Sequence, residues 1–388
     1  MPALTKAQLK QVQAVEDSFN RTYTSQYGVE RWEGSLRHAL TAPTRYAVLI
    51  NRYESDNIPS TFTENDMNDL QLINFETGDD FITPGSEPRL ISYQRSITAE
   101  TSESSASEAP FPAPQAISSK ETTTPLMTHW NLDAASLLAV SILAPKPGDK
   151  VLDLCAAPGG KSLAAAQLLR PSNFDPAAPS LLGGCLHSNE IDNARNKRLA
   201  SNLQSYLPAQ FFNTGEVKVL KLDATSPNAA QSLPLGTGGY DKVLLDAPCS
   251  SERHVLHAHS KAKRGGRVAD EMASWRSGQS KKIAKIQAAI LMTALRAVKI
   301  GGKVLYATCS LSNEENDAVI EKGIELVAKE QKKYGTRWNV AVRRGDLAGY
   351  GLEEWAECTR HGWIVLPDHP SRGRWGPLFF AVLEKVAA

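Results

Sequence analysis

Cys249 and Cys309 stand where two apolar runs, "YDKVLLDAP" and "GGKVLYATCS", give way to polar chain, and Asp246 precedes the first cysteine by three positions. A lone thiol in such a place is most simply a small buried hydrophobe. Paired with a carboxyl and with Pro248, and with Glu315-Asn316 following the second, it reads better as a nucleophile, which must be ionised to act. Three further apolar runs end in the same manner: "KVLDL" at Asp153, "GGCLHSNE" at Glu190 and "VKVLKLD" at Asp223. Any one acid there is explained by helix capping. Asp153, Glu190, Asp223, Asp246 and Cys309 together describe a site, because ligands of an open parallel sheet lie beyond the carboxyl ends of its strands.

Short apolar runs separated by helical patterns are the mark of parallel strands with crossover helices. The expected fold class is therefore α/β, a doubly wound and mostly parallel sheet. Upstream, "HWNLDAASLLAVSILAPKPGDK" predicts an amphipathic helix from Asp133 to Leu143, stopped by Pro145, Pro147 and Gly148. From Ala7 to Tyr53 the pattern is polar and helical, with Trp32, Leu36 and Leu40 at turn spacing. Residues 1–95 are accordingly read as a small helical N-terminal region, open to RNA or partner contact. Between Ser96 and Thr124 Ser, Thr, Glu, Pro and Ala dominate, so 96–125 is read as a flexible linker or long loop. The domain that carries the chemistry is 126–388.

The totals exclude several classes. The 388 residues suit roughly two domains of ~100–200 residues. No run approaches the ~20 apolar residues of a membrane span, and Met1 to Gly28 lacks a secretory core, so no membrane partner is expected. Lys6, Lys10 and Arg21 are offset by Glu16 and Asp17, which is not a clear transit peptide. Five cysteines without CxxC spacing argue against a disulfide framework or a metal site. The net charge of +1 hides a basic run from Arg253 through Lys261, Lys263, Arg264, Arg267, Arg276, Lys281 and Lys282 to Lys285, with His254, His257 and His259 inside it.

"VLDLCAAPGGKSLAAAQLL" contains Gly160-Lys161-Ser162, the tail of a P-loop, but Cys155 occupies the position where the first glycine must turn the chain. Cys155 and Ala157 also displace the first two glycines of a dinucleotide fingerprint. A turn of small residues with one glycine pair suits a cofactor with less phosphate to hold. S-adenosylmethionine has none. Glu190 is placed to accept from ribose hydroxyls and Asp223 to meet adenine.

"DLCAAPGGK", "DAPCS", "YATCSLSNEEN" and "NLDAASLL", with "GPLFFAVLEK" at the end, resemble the signature segments of the Sun-type (Fmu-related) RNA cytosine-5 methyltransferases. The resemblance runs from Thr128 to the C-terminus; "PCSSERHVLH" and "FNRTYTSQYGVERW" are most similar to the small mitochondrial branch that acts on rRNA and tRNA. It implies a Rossmann-like methyltransferase sheet and formation of 5-methylcytosine in rRNA or tRNA. The cofactor, S-adenosylmethionine, would be held by Cys155, Ala156, Ala157, Pro158, Gly159, Gly160, Lys161, Glu190, Arg195, Asp223, Ala224 and Asp246.

Carbon 5 of cytosine is a poor nucleophile until a thiolate adds at carbon 6. The resemblance assigns that attack to Cys309, product release to Cys249, and contact with the ring nitrogen and amine to Asp246. If the two strands are neighbours, at ~4.8 Å, both thiols open into one pocket. Lys161 and the cationic cofactor would favour the thiolate. DNA cytosine methyltransferases lack the second cysteine segment, which favours RNA. Cys155 would serve its turn as a small residue, and Cys185 and Cys358 would be structural.

The basic run would carry phosphate contacts, with Arg343, Arg344, Arg372 and Arg374 as an extension. Two departures stand out: Glu190 replaces the more usual Asp, and no RNA-binding module such as a PUA domain is recognisable. Targeting would then fall to a protein partner or to a large ribonucleoprotein substrate. The expected protein is a monomer in mitochondria, with nucleus or cytoplasm as the alternative location. A scaffold that kept the cofactor pocket without turnover would need neither Cys249, Cys309 nor Asp246.

Overall fold

The computed structural model describes residues 6–73, 90–96, 111–117, 125–344, 351–371 and 373–388. Near the N-terminus β1 (Tyr46–Ile50), β2 (Leu70–Leu72) and β3 (Ser92–Arg95) precede a short pair, β4 (Ala116–Ile117) and β5 (Leu126–Met127), and then β6 (His129–Asp133). A four-stranded sheet has the order β2-β3-β1-β6. The larger sheet comprises β7 (Lys150–Asp153), β8 (Cys185–Asn189), β9 (Val217–Leu220), β10 (Tyr240–Asp246), β11 (Val298–Thr308), β12 (Trp338–Val342), β13 (Glu357–Cys358), β14 (Trp363–Val365) and β15 (Leu378–Ala387). Its order is β13-β14-β15-β11-β10-β7-β8-β9, with β12 also on β15. From β9 across to β11 every pairing is parallel, and β15 runs antiparallel to β11.

The apolar runs form strands because both sheet faces are covered. Residues from the helices Ala134–Leu143, Gly160–Leu169 and Asn193–Tyr206 share one buried cluster with β7 and β8. Residues from Lys6–Tyr27, Gln279–Ala297 and Asp317–Tyr334 share another with β10 and β11. The doubly wound expectation holds, and all five runs read as strands are β7 to β11. Strand order reverses between β7 and β10, so the crevice of such a sheet opens there.

Three local expectations need correction. The helical reading of 7–53, and with it of the whole N-terminal region, misses β1: "YAVLI" is aromatic and β-branched, four of its five residues are buried, and it pairs with both β3 and β6. The helix Ala134–Leu143 is not amphipathic, since only Ser136 and Ser141 escape full burial; it lies against β6, β11, β15 and the helix Gly160–Leu169. Most of 96–125 falls outside the described residues, but Ala116–Ile117 within it pairs with Leu126–Met127 rather than forming open loop.

The N-terminal helix Lys6–Tyr27 is an integral part of the fold. Phe19 and Tyr23 are 0% and 1% exposed and, with Trp32 and Trp275, make a chain of ring contacts at 4.8–6.1 Å. Arg31 ties the same region to Asp368 at 2.9 Å and to Glu357 near the C-terminus. Phe19→Ala is expected to cost about 3–5 kcal/mol of unfolding free energy, the range for truncating a buried aromatic. Denaturant titration checks this, and a loss below about 1 kcal/mol would show that the helix is not packed as described.

Candidate active site

β10 and β11 are parallel neighbours, with Asp246 opposite Ala307, so their C-terminal loops leave the sheet side by side. Cys249 Sγ lies 2.8 Å from Cys309 Sγ. The structure thus brings together the two thiols that the sequence could only place on separate strand ends. Their environments split them. The hydrogen bond with Cys249 pulls the Cys309 thiol down against the effect of burial, and Ser251 Oγ, 3.0 Å away, pulls the same way. The contact with Cys309, and then burial, push Cys249 well above the ordinary thiol value. The two shifts run in opposite directions, down for Cys309 and up for Cys249, and either sulfur can donate in the contact between them.

Asp246 Oδ2 accepts from Lys161 Nζ at 2.7 Å. Burial opposes the lysine's charge, but Asp246, Cys309 and Asp153 raise its pKa above the usual value. The ammonium is therefore committed to this cluster and not free for a phosphate. Cys309 is among the groups that raise Lys161, while the charges of Asp246 and Glu252 push the Cys309 thiol up.

Two fully buried carboxylates lie behind the thiols, of which the sequence reading had singled out Glu315 but not Glu252. Glu252 accepts from Leu311 N at 2.9 Å, from Ser310 Oγ at 3.3 Å, from Tyr23 Oη at 2.7 Å and from Ser250 Oγ. Glu315 accepts from Ser250 N at 3.0 Å and Gln287 Nε2 at 3.1 Å; the same Gln287 amide holds Pro248 O at 2.9 Å. Each acid thus bonds across from one cysteine loop to the other. Burial, then the charge of Glu315, raises the Glu252 pKa. Glu315 lay within a quoted motif, but Glu252 had no signal beyond its position after "PCSS". Tyr23, Gln26 and Tyr27 of the N-terminal helix reach the same place, the two latter through Leu311 O.

Beside this cluster a pocket of about 220 Å³ is lined by Trp130, Asn131, Leu132, Ser136, Asp153, Cys155, Ala156, Ala157, Pro158, Gly160, Lys161 and Asp246. Most of the glycine-turn residues assigned to the cofactor line it. Its roof, from β6, was not anticipated. Gly159 takes φ +120°, and a Cβ on Gly160 would stand 2.9 Å from Trp130 Nε1, so the pair serves the turn and the approach of that indole. Asp153 Oδ1 and Asn131 Oδ1 are buried with no hydrogen-bond partner among the described residues. Unfilled acceptors cost free energy unless a ligand supplies donors. With Lys161 already paired, the pocket fits S-adenosylmethionine, which offers hydroxyl and ammonium donors but no phosphate. Cys155 is held as a neutral thiol by burial and by Asp153 and Asp246, consistent with a small turn residue.

Glu190, Arg195, Asp223 and Ala224 do not line that pocket. Glu190 is buried, accepts from Asp192 N at 2.9 Å and lies 3.3 Å from Arg195, whose guanidinium also donates to Ala157 O at 3.0 Å. Asp223 is exposed and closes a turn onto Thr225, whose hydrogen bonds depress its pKa. Asn189 binds these edges together through Leu154 O at 3.0 Å and Leu222 O at 3.1 Å.

The basic run needs correction at its start. Arg253 is buried and donates to Gly376 O and Ala42 O, and His259 is buried beside Glu16. Lys261, Lys263, Arg264, Arg267, Arg276, Lys281, Lys282 and Lys285 are exposed. Arg343 is engaged by Glu384, and Arg344 by the carbonyls of Thr359 and Arg360. Arg372 lies outside the described residues. Cys185 is buried, whereas Cys358 is exposed and so is no core thiol.

A switch-point crevice in a doubly wound sheet, fitted to a phosphate-free adenosyl cofactor, defines the class: an S-adenosylmethionine-dependent methyltransferase. Residues 140–343 match the family described as 16S rRNA methyltransferase RsmB/F. The mitochondrial tRNA (cytosine(34)-C(5))-methyltransferase of Danio rerio is 30% identical over 398 residues, covering 99% of this chain and 90% of that protein. The 5-cytosine rRNA methyltransferase NSUN4 of Mus musculus is 29% identical over 400 residues, covering 99% and 92%. The crystal structure of a methyltransferase homolog from Pyrococcus horikoshii shares the fold, at TM-score 0.57 and 17% identity over 99% of this chain and 100% of that one. The chain belongs to the RsmB/F family of RNA methyltransferases.

Burial, reinforced by the charge of Asp246, pushes Asp153 up to about 7, although Ser162 Oγ donates to its other oxygen at 2.6 Å. A carboxyl whose folded pKa exceeds its unfolded value of about 3.9 keeps its proton in the native state after the unfolded chain has lost it, so stability falls as pH rises from about 4 to about 7. Wild type is therefore expected to lose ground against Asp153→Asn across that window. Urea unfolding at both ends of the range tests it, and parallel pH profiles would contradict it.

Proposed function

We propose that this chain forms 5-methylcytosine in rRNA or tRNA through a covalent adduct between Cys309 and carbon 6 of the target base. The observation that carries the reading is the pair of thiols in contact, with Asp246 and Lys161 joined beside them, adjoining a pocket fitted to the methyl donor. Attack by the Cys309 thiolate forms the S–C6 bond and shifts the C5–C6 π pair onto carbon 5, in conjugation with C4 and N3, which makes carbon 5 nucleophilic. Asp246 takes the ring nitrogen and exocyclic amine. When bound, S-adenosylmethionine supplies an electrophilic methyl group at carbon 5. Loss of the carbon 5 proton to a base then breaks the S–C6 bond and returns Cys309 as thiolate. Cys249 is assigned to that release.

Cys155, Ala156, Ala157, Pro158, Gly159, Gly160, Lys161 and Asp246 would hold the cofactor at the turn. Glu190 with Arg195 and Asp223 with Ala224 would flank its ribose and adenine. The exposed basic residues from Lys261 to Lys285 would take RNA phosphates. A looped or opened RNA is favoured, because extruding a paired base costs a few kcal/mol. The names of the two relatives support tRNA or rRNA as substrate, and the first of them supports a mitochondrial location. Target choice would rest with a protein partner or a ribonucleoprotein substrate.

Cys309→Ala is expected to lower methyl transfer from labelled cofactor by about a thousandfold or more, as removal of a nucleophile does. Cys249→Ala should accumulate a protein–RNA adduct that survives denaturing electrophoresis. Methylation by Cys309→Ala at the wild-type rate would reject the mechanism. In a separate test, replacing Lys261, Lys263 and Arg264 by alanine should reduce the log–log salt slope of binding to single-stranded RNA by about 2. An unchanged slope would move the phosphate contacts elsewhere.

A further inference from the structure

Ser251 is unusual three times over. Its backbone sits at φ 52°, ψ 58°, the left-handed region that side-chain-bearing residues enter at a cost and glycine enters freely. It occupies the N-cap of the helix Glu252–Arg264, where a serine normally accepts a backbone N–H of the first turn, yet its side chain makes no such bond. Its hydroxyl instead turns to the sulfurs, 3.0 Å from Cys309 Sγ and 3.4 Å from Cys249 Sγ. The neighbouring Ser250 has no comparable freedom, since its hydroxyl is bound to Glu252 and lies 2.9 Å from Ser310 Oγ. The chain forgoes a helix cap and tolerates a strained backbone, and what it gains is one donor between two thiols. Strain maintained at a reacting group points to a role there.

We propose that Ser251 is a positioning residue whose hydroxyl is the hydrogen-bond donor shared by the two cysteines. Before attack it donates to Cys309 and, with the Cys249 thiol, stabilises the thiolate. Once the Cys309 electron pair is in the S–C6 bond, that sulfur is a poorer acceptor, and the hydroxyl is free to serve Cys249. When the S–C6 bond breaks, the pair returns to Cys309 and so does the donor. Ser251 neither gains nor loses a proton overall; it follows the charge. The Cys309 half of this inference needs only the resting geometry, while the exchange between sulfurs rests on the covalent reading proposed above.

The lowered position of the Cys309 thiol agrees with two donors converging on it. A hydrogen bond to a charged acceptor is worth enough to move a pKa by about one unit. The test measures iodoacetamide alkylation of Cys309, resolved by peptide mass spectrometry, against pH in protein free of RNA. Ser251→Ala is expected to raise the alkylation midpoint by about one pH unit and to lower kcat about tenfold with KM unchanged. Ser251→Gly should show the same shift while melting at a higher temperature than Ser251→Ala, because it relieves the left-handed strain and still lacks the hydroxyl. Superimposable alkylation profiles for wild type and both variants would overturn the proposal. So would a shift in Ser251→Ala that Ser251→Gly abolishes, since that would trace the effect to backbone strain. Full turnover by Cys309→Ala would reject the covalent reading and leave the alkylation shift intact, so the two failures are distinguishable.

Discussion

The structure depends on two parallel strands whose carboxyl ends are locked together. The register of β10 against β11 brings their loops level, but the backbone bonds between them end with Ala247 N donating to Ala307 O, before either cysteine is reached. Beyond that point the buried carboxylates of Glu252 and Glu315 take over. Glu252 grips the second loop at Leu311 N and the first at Ser250 Oγ, while Glu315 grips the first at Ser250 N. Buried acids without such donors would be costly; backbone N–H, hydroxyl and amide groups supply them to Glu252 and to Glu315 Oε2, while Glu315 Oε1 has no partner among the described residues. Two sulfurs at contact distance are the product of that cross-bracing.

The brace extends well beyond the catalytic strands. Tyr23 donates to Glu252 from the N-terminal helix, and Gln26 and Tyr27 donate to Leu311 O. The N-terminal segment is thus mechanically part of the site although it contributes no group to the pocket. On the other side β6 brings Trp130 and Asn131 over the glycine turn, so the N-terminal sheet roofs the methyl-donor pocket. Asp133, the next turn of the same segment, caps the helix Ala134–Leu143 through Ala135 N and receives Gly376 N from the far end of the chain. Perturbing either accessory element is therefore a perturbation of the reaction centre.

The sequence was most legible where physics is local. Continuous apolar runs identified β7 to β11, and polar residues at their ends identified where the crevice lies. Cys249, Cys309, Asp246 and Lys161 were found from their types and positions, and the structure brings all four together. Cross-chain relations were not legible. Glu252 and Tyr23 are 229 positions apart, Glu315 and Ser250 65, and no periodicity links them. β1 was missed although Pro43 ends the preceding helix, because the helical pattern was carried through that stop signal over a strand of only five residues. Arg253 was misplaced on the surface because charge alone suggests solvent, whereas its guanidinium is spent on the carbonyls of Gly376 and Ala42. Ser251 was invisible for the same reason that makes it informative, since only coordinates show a left-handed serine with its hydroxyl turned from the helix it begins.

Of the two sulfurs in contact, Cys309 is the one proposed to bond to the base. The most direct measurement traps wild-type protein on RNA carrying 5-fluorocytidine in the presence of S-adenosylmethionine, digests the adduct, and locates the modified residue by tandem mass spectrometry. The fluorine at carbon 5 cannot leave as a proton would, so the adduct persists. The expected result is a nucleotide mass on the peptide containing Cys309 and none on the peptide containing Cys249. A nucleotide on Cys249 would contradict the claim.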